Sequence, residues 1–241
     1  MVKKQSPNYS DVSSKTWLHK DLKKKELKKS ISFFDFKKKI IIPKKLDVVA
    51  LLSGLPFSKV LTNKILYIQK DIDKIIGNTK HYWVKKNNLG LEYCVFKWPE
   101  QEFDQINVNE ISDFVSKLKI TKFNVLFDGC QLNPDGCVVI KGFDISKEIN
   151  KLRNLISKNI SSLPKKQSSW FHIPIGRILE PIGEDNFLKL KYFFKKNTEG
   201  WGHLEKIKSI KLIQEYQWYM EKRKTLINIK TIKINNSKIV N

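Results

Sequence analysis

Apolar positions recur at helical spacing in four stretches of the chain. Residues 58–76 place Val60, Ile65, Ile68, Ile72 and Ile75 mostly three, four or seven apart, and Gly77-Asn78 supplies a stop. Residues 145–158 align Ile145, Ile149, Leu152 and Ile156 on one face. Residues 108–118 suit a helix capped by Asn109, and 184–196 form one with Phe187, Leu188 and Phe194 as apolar anchors. Other stretches alternate at period two. Residues 91–98 read as a strand closed by Pro99. Residues 122–132 and 137–143 read as a hairpin around Asn133-Pro134-Asp135-Gly136. Residues 169–180 read as a strand despite Pro174, and 204–228 hold two strand-like runs. The order helix, strand, helix, hairpin occurs twice. It predicts an α+β fold with an internal pseudo-repeat, not the βα alternation of a doubly wound sheet.

The first 45 residues break this pattern. They hold 14 Lys against 4 acidic residues and no sustained period, so they read as a loosely ordered basic arm with one short helix near 18–29. The globular pattern runs over 46–228, and 229–241 reads as a frayed polar tail. The first lysines are not followed by an apolar h-region, so a signal peptide is not expected. No apolar run reaches the ~18–20 residues of a membrane span.

Composition changes this picture in one respect. A formal net charge of +22 suggests a nucleic-acid partner. Yet 43 of the 46 basic residues are lysine; only Arg153, Arg177 and Arg223 are arginine, and alanine occurs once, at Ala50. The pattern follows AT-rich codons, whereas a dedicated phosphate surface more often uses the bidentate fork of arginine. Apolar residues at 41% require a packed core. Cys94, Cys130 and Cys137 have no CxxC spacing, so neither a disulfide framework nor a metal site is expected; buried thiols in a reducing cytoplasm are. No Walker A, GxGxxG or GxSxG motif is present, and no cofactor is expected.

Several segments, taken in order, resemble the two-histidine phosphoesterases, the superfamily of RNA 2′,3′-cyclic phosphodiesterases once called 2′-5′ RNA ligases. Residues 123–129 (FNVLFDG) and the 137–143 strand look like the hairpin after that family's first motif. Lys151-Leu152-Arg153-Asn154-Leu155 looks like the helix leading to its second, and 170–177 (WFHIPIGR) falls where the second motif stands. Residues 207–212 and 217–227 look like the closing hairpin. The resemblance covers about 58–228. It implies a bilobal, pseudo-twofold α+β fold: two antiparallel sheets with flanking helices, and a His-x-Thr/Ser motif on an inner strand of each lobe.

The resemblance also implies a site in the cleft between the lobes. One imidazole takes a proton from water and the other protonates the leaving oxygen, while the hydroxyls hold the phosphate. Here the motifs are degraded. His172 matches the second histidine, but Pro174 stands at its hydroxyl position. In the first motif, Glu92 takes the histidine position and Cys94 the hydroxyl position; a one-residue slip would substitute Tyr93 but flip its face. His172 and Glu92 are therefore the candidate catalytic residues. Arg177, Tyr93, Cys94 and Pro174 are the candidate substrate-binding residues. In an unbroken strand Arg177 lies on the face opposite His172, unless a bulge near Pro174 or Gly176 re-aims it. The resemblance implies a cytoplasmic monomer that binds RNA ends or small phosphodiesters with weak or lost cyclic phosphodiesterase activity. Two alternatives stand beside it: a non-enzymatic module that binds a protein partner, and an unrelated basic RNA-binding protein.

Overall fold

The computed structural model describes residues 9–37, 40–102, 105–197 and 200–232. The strongest periodicity gives the clearest helix, α3 (Lys59–Ile76), since the order of elements begins with α1 (Tyr9–Thr16), α2 (Lys24–Ile31), β1 (Phe34–Lys37), β2 (Ile40–Pro43) and β3 (Lys45–Gly54). In α3, Leu61, Ile65, Ile68, Ile72 and Ile76 are buried, and the Ser58 hydroxyl caps the helix by accepting the Leu61 N–H. Val60, expected on the apolar face, is exposed. The chain continues through β4 (His81–Trp83), β5 (Gly90–Lys97), α4 (Gln105–Ser116), β6 (Phe123–Leu132), β7 (Cys137–Phe143) and α5 (Glu148–Asn159). It ends with β8 (His172–Ile178), α6 (Glu184–Lys196), β9 (His203–Ile207), β10 (Ser209–Gln217) and β11 (Lys222–Lys230).

The strands form two larger antiparallel sheets and the small β1–β2 hairpin. One sheet has the order β11-β10-β3-β5 and the other β4-β8-β7-β6-β9. The α+β class with antiparallel sheets is the one expected. Helices α3 and α6 pack on β8 and β6, while α5 lies on β5 and α4 on β11. Most buried apolar side chains form one continuous core beneath both sheets. Among the described residues no helix is long and apolar enough to cross a membrane.

Several expectations need correction. The first 45 residues were expected to be loosely ordered; residues 9–37 and 40–43 instead carry two helices and a hairpin. Tyr9, Leu22, Leu27 and Phe34 anchor them, all buried, but too widely spaced to show a period. Helix α5 begins at Glu148, after a left-handed Lys147, so Ile145 is exposed rather than an anchor. Leu188 in α6 is also exposed, and Leu190 takes its place in the core. Finally, the 204–217 run is two strands. β9 pairs with β6, and after Lys208 β10 pairs with β3 in the other sheet. In the expected frayed tail, β11 extends to Lys230 and the Ile232 N–H bonds to the Ile120 carbonyl; residues 233–241 lie outside the described residues.

Candidate functional site

His172 opens β8 and pairs in register with Lys141 of β7. Pro174 then pairs with Val139, but the next pair is Gly176 with Val138, leaving Ile175 as an extra residue. This bulge shifts the alternation by one residue. Arg177, opposite Cys137, therefore returns to the face of His172 and Pro174. The bulge is well supported. The Ile175 carbonyl accepts from the Val84 N–H and from Gln69 Nε2 on α3. A Cβ at Gly176 would come within 2.1 Å of the Trp83 ring, so only glycine fits without a shift.

Strand β5 behaves differently. Leu52 pairs with Glu92 and Leu51 with Cys94, so Tyr93 is the extra residue. Leu51 and Leu52 point to opposite faces of β3, and so do Glu92 and Cys94. Cys94 joins Leu51 in the main core, whereas Val95 joins Glu92's face beside Ala50 and Val48. Tyr93 is buried, and its hydroxyl donates to Ser53 Oγ at 2.7 Å. The structure thus sets Glu92 on the face of β5 opposite Cys94 and turns Cys94 and Tyr93 into the interior.

Arg153 of α5 ties β5 to the segment that leads into β8. Its Nε donates to the Tyr93 carbonyl at 2.8 Å, its Nη2 to the Trp170 carbonyl at 3.0 Å, and its guanidinium lies 4.6 Å from the Phe171 ring centre. The edge of β5 is closed further along by Gln167, whose side-chain amide bonds both the N–H and the carbonyl of Val95. Burial, together with the nearby charges of Arg177 and Arg153, pushes the His172 imidazole down to about 4. Its Nδ1 is sealed from solvent without a hydrogen-bond partner among the described residues. Burial pushes Glu92 up to about 7 against the opposing pull of Arg153. Glu215 on β10 is pushed up to about 8, by burial and then by the charge of Glu92, although the Met220 N–H bonded to it pulls the other way.

Arg177 faces the site but is engaged. Its Nη1 pairs with Asp135 Oδ2 at 2.8 Å and donates to Ser30 Oγ, and its Nε donates to Tyr219 Oη. The Phe33 ring centre lies 5.0 Å from its guanidinium. One side chain therefore ties β8 to the β6–β7 turn, the β10–β11 turn and the N-terminal segment. Tyr219 and Met220 both sit at positive φ in that last turn. Sequence reasoning missed Asp135, Glu215 and Tyr219 as members of the site. Arg177 was a candidate from its place five residues after His172, whereas Arg153 was marked only as part of the helix leading to the second motif. The other histidines with partners lie elsewhere: His81 Nε2 is 3.0 Å from Asp73 and His203 Nε2 is 2.7 Å from Glu205. Among the described residues no three His, Cys, Asp or Glu side chains cluster as a metal site requires.

No family model matches the chain. No curated protein matches it either. Solved structures do. Escherichia coli LigT in apo form superposes with a TM-score of 0.54 at 10% identity, covering 79% of this chain and 100% of LigT. LigT complexed with 3′-AMP gives 0.53 at 12% identity with the same coverage. TT0787 of Thermus thermophilus gives 0.54 at 10% identity, covering 78% of this chain and 99% of that one. The chain has the LigT-like fold, the one that the order of its segments implied.

Proposed function

We propose that this chain is a diverged phosphoesterase-like protein that binds RNA ends or small phosphodiesters beside His172, with weak or lost cyclic phosphodiesterase activity. The observation that carries this reading is the β8 bulge, which sets His172, Pro174 and Arg177 on one face. LigT, whose fold the chain shares, is a 3′-AMP and phosphate binder in its own crystals. His172, neutral at pH 7, can accept a proton from water. Glu92, titrating near 7, can return one to a leaving oxygen while it is protonated. Once ionised, Glu92 repels a phosphodiester. Pro174 offers no hydroxyl and Cys94 points into the core, so equatorial charge lacks two donors that a phosphoryl site needs. Slow turnover follows. Cys94, Cys130 and Cys137 are all buried, the placement expected of thiols kept in a reducing cytoplasm.

A second reading draws on one observation. Strand β9 lies at the edge of the five-stranded sheet, and a groove between it and the start of α3 is lined by Pro56, Val60 and Leu204. Val60 and Leu204 are both exposed there. An open strand edge beside apolar side chains suits a protein that retains the fold and binds a protein partner without catalysis.

One experiment separates the two. The protein and its His172→Ala variant are incubated with nucleoside 2′,3′-cyclic phosphates and with an RNA oligomer ending in a cyclic phosphate. The first reading expects binding at ~100 mM salt that weakens steeply as salt rises. It also expects any hydrolysis to fall about 10²-fold or more in the variant. If neither protein binds the oligomer, the nucleic-acid reading is wrong. If both hydrolyse equally, His172 is not the acid–base group.

A further inference from the structure

Helix α1 brings Tyr9 to the His172 end of the five-stranded sheet. Tyr9 is buried there, edge-on to Trp170 with ring centres 4.8 Å apart, and Trp170 is in turn edge-on to His172 at 5.9 Å. The Tyr9 hydroxyl accepts the Gly142 N–H and donates between the carbonyls of Gly142 and Phe171. Its ring lies 6.0 Å from the ammonium of Lys141, the register partner of His172. An aromatic ring thus rests between a cation and an indole beside the one matching histidine. A nucleoside phosphate would use the same two neighbours, the cation for its phosphate and the indole for its base.

We propose that Lys141 and Trp170 form a nucleoside-phosphate subsite at the His172 end of β8 and that α1 is its lid, latched by Tyr9. This rests on the phosphodiester reading above and extends it to the regulation of that site. The helix has eight residues, too few to hold its shape alone. Only Tyr9 and Thr16 are buried in it. Thr16 is fastened by its hydroxyl to the Leu132 carbonyl at 2.8 Å, and the adjoining Trp17 packs on Phe187 and Phe194. The Tyr9 end can therefore lift while the Thr16 end serves as a hinge. α2, with Leu27 and Ser30 fully buried, stays in place. Apparent affinity is the open-state affinity scaled by the open fraction. A weakened latch raises the open fraction, and with it the apparent affinity, by the same factor.

The test uses the full chain and uridine 3′-monophosphate as ligand. Affinity is measured by calorimetry for wild type, Tyr9→Phe, Tyr9→Ala and Tyr9→Ala/Lys141→Ala, with melting curves confirming that each is folded. The lid expects Tyr9→Ala to bind about tenfold tighter than wild type or more. Tyr9→Phe, which loses only the hydroxyl bonds, should fall between them, and the double variant should lose the gain. Equal affinity of wild type and Tyr9→Ala, or a double variant as tight as Tyr9→Ala, overturns the proposal. Hydrogen exchange supplies a readout that needs no ligand. Amides of residues 10–15 should exchange about 100-fold faster than those of 25–30. Equal protection rejects the lid even if the ligand binds. Fast α1 exchange with no binding by any variant supports the opening and rejects the phosphodiester reading together with the subsite.

Discussion

Strands β5 and β8 each carry one candidate acid–base residue and a β-bulge close behind it, with opposite results. In β8 the extra residue, Ile175, returns Arg177 to the face of His172. In β5 the extra residue, Tyr93, sends Cys94 away from the face of Glu92. One strand gains a cation on the site face and the other loses a polar side chain from it. The position of a bulge thus decides which residues can act together, independently of which residues are present. The two strands also differ in cost. The β8 arrangement is fixed by a partly buried ion pair and a glycine, whereas the β5 arrangement is held by neutral acceptors, the Ser53 hydroxyl and the Tyr93 carbonyl bonded by Arg153, and by Gln167 at Val95.

The largest effect should come from Arg177→Ala. It breaks the 2.8 Å pair with Asp135 and leaves Ser30 and Tyr219 without their donor. With 14% of the Arg177 side chain exposed, a loss of about 3 kcal/mol in a urea titration is expected. A loss below about 1 kcal/mol would show that the hub is not structural.

The carboxylates come next. Glu92 and Glu215 have folded values near 7 and 8, raised from 4.5. A raised carboxyl means that the folded state binds the proton more tightly than the unfolded chain. Their contribution to stability is therefore full below pH ~4.5 and is lost as pH rises through 7 and 8. Stability is expected to decline steadily from pH 4.5 to 8. Glu215→Gln should remove much of the slope, and Glu92→Gln a further part. A stability curve flat from pH 4.5 to 8.5 would contradict the burial of both groups.

Gly176→Ala probes the β8 bulge directly. Its methyl meets the Trp83 ring and the Tyr82 carbonyl, at 2.1 and 2.6 Å, so a cost of about 2 kcal/mol is expected. Tyr93→Phe is the matching change in β5 and the mildest. It strands the buried Ser53 hydroxyl at about 1 kcal/mol and should leave ligand affinity unchanged. A clear loss of affinity in Tyr93→Phe would return Tyr93 to the site.

The same contrast explains what the sequence disclosed. The β8 bulge was legible because Pro174 and Gly176 interrupt an apolar run. The β5 bulge carries no such mark. LEYC alternates like any half-buried strand, and alternation puts Glu92 and Cys94 together. Helices α3 and α6 followed from period 3.6, whereas Lys208 passes between two sheets without disturbing the alternation of 204–217. The N-terminal helices escaped because four buried anchors are scattered among 14 lysines, and their partners are distant in sequence, as Tyr9 with Gly142 and Ser30 with Asp135 show. The site partners of Arg177 were hidden for the same reason, since Asp135 and Tyr219 each look like ordinary turn residues until the fold brings them together.

The claim that His172 is the acid–base group of a phosphate site is tested most directly by its own titration. Imidazole nitrogen NMR, assigned with His172→Gln, would follow it with and without uridine 3′-monophosphate. The account predicts a value near 4 in the free protein, where burial and two arginines oppose protonation, and an upward shift when the anion binds beside it. A His172 that titrates near 6.5, or whose value does not move at saturating ligand, would contradict it.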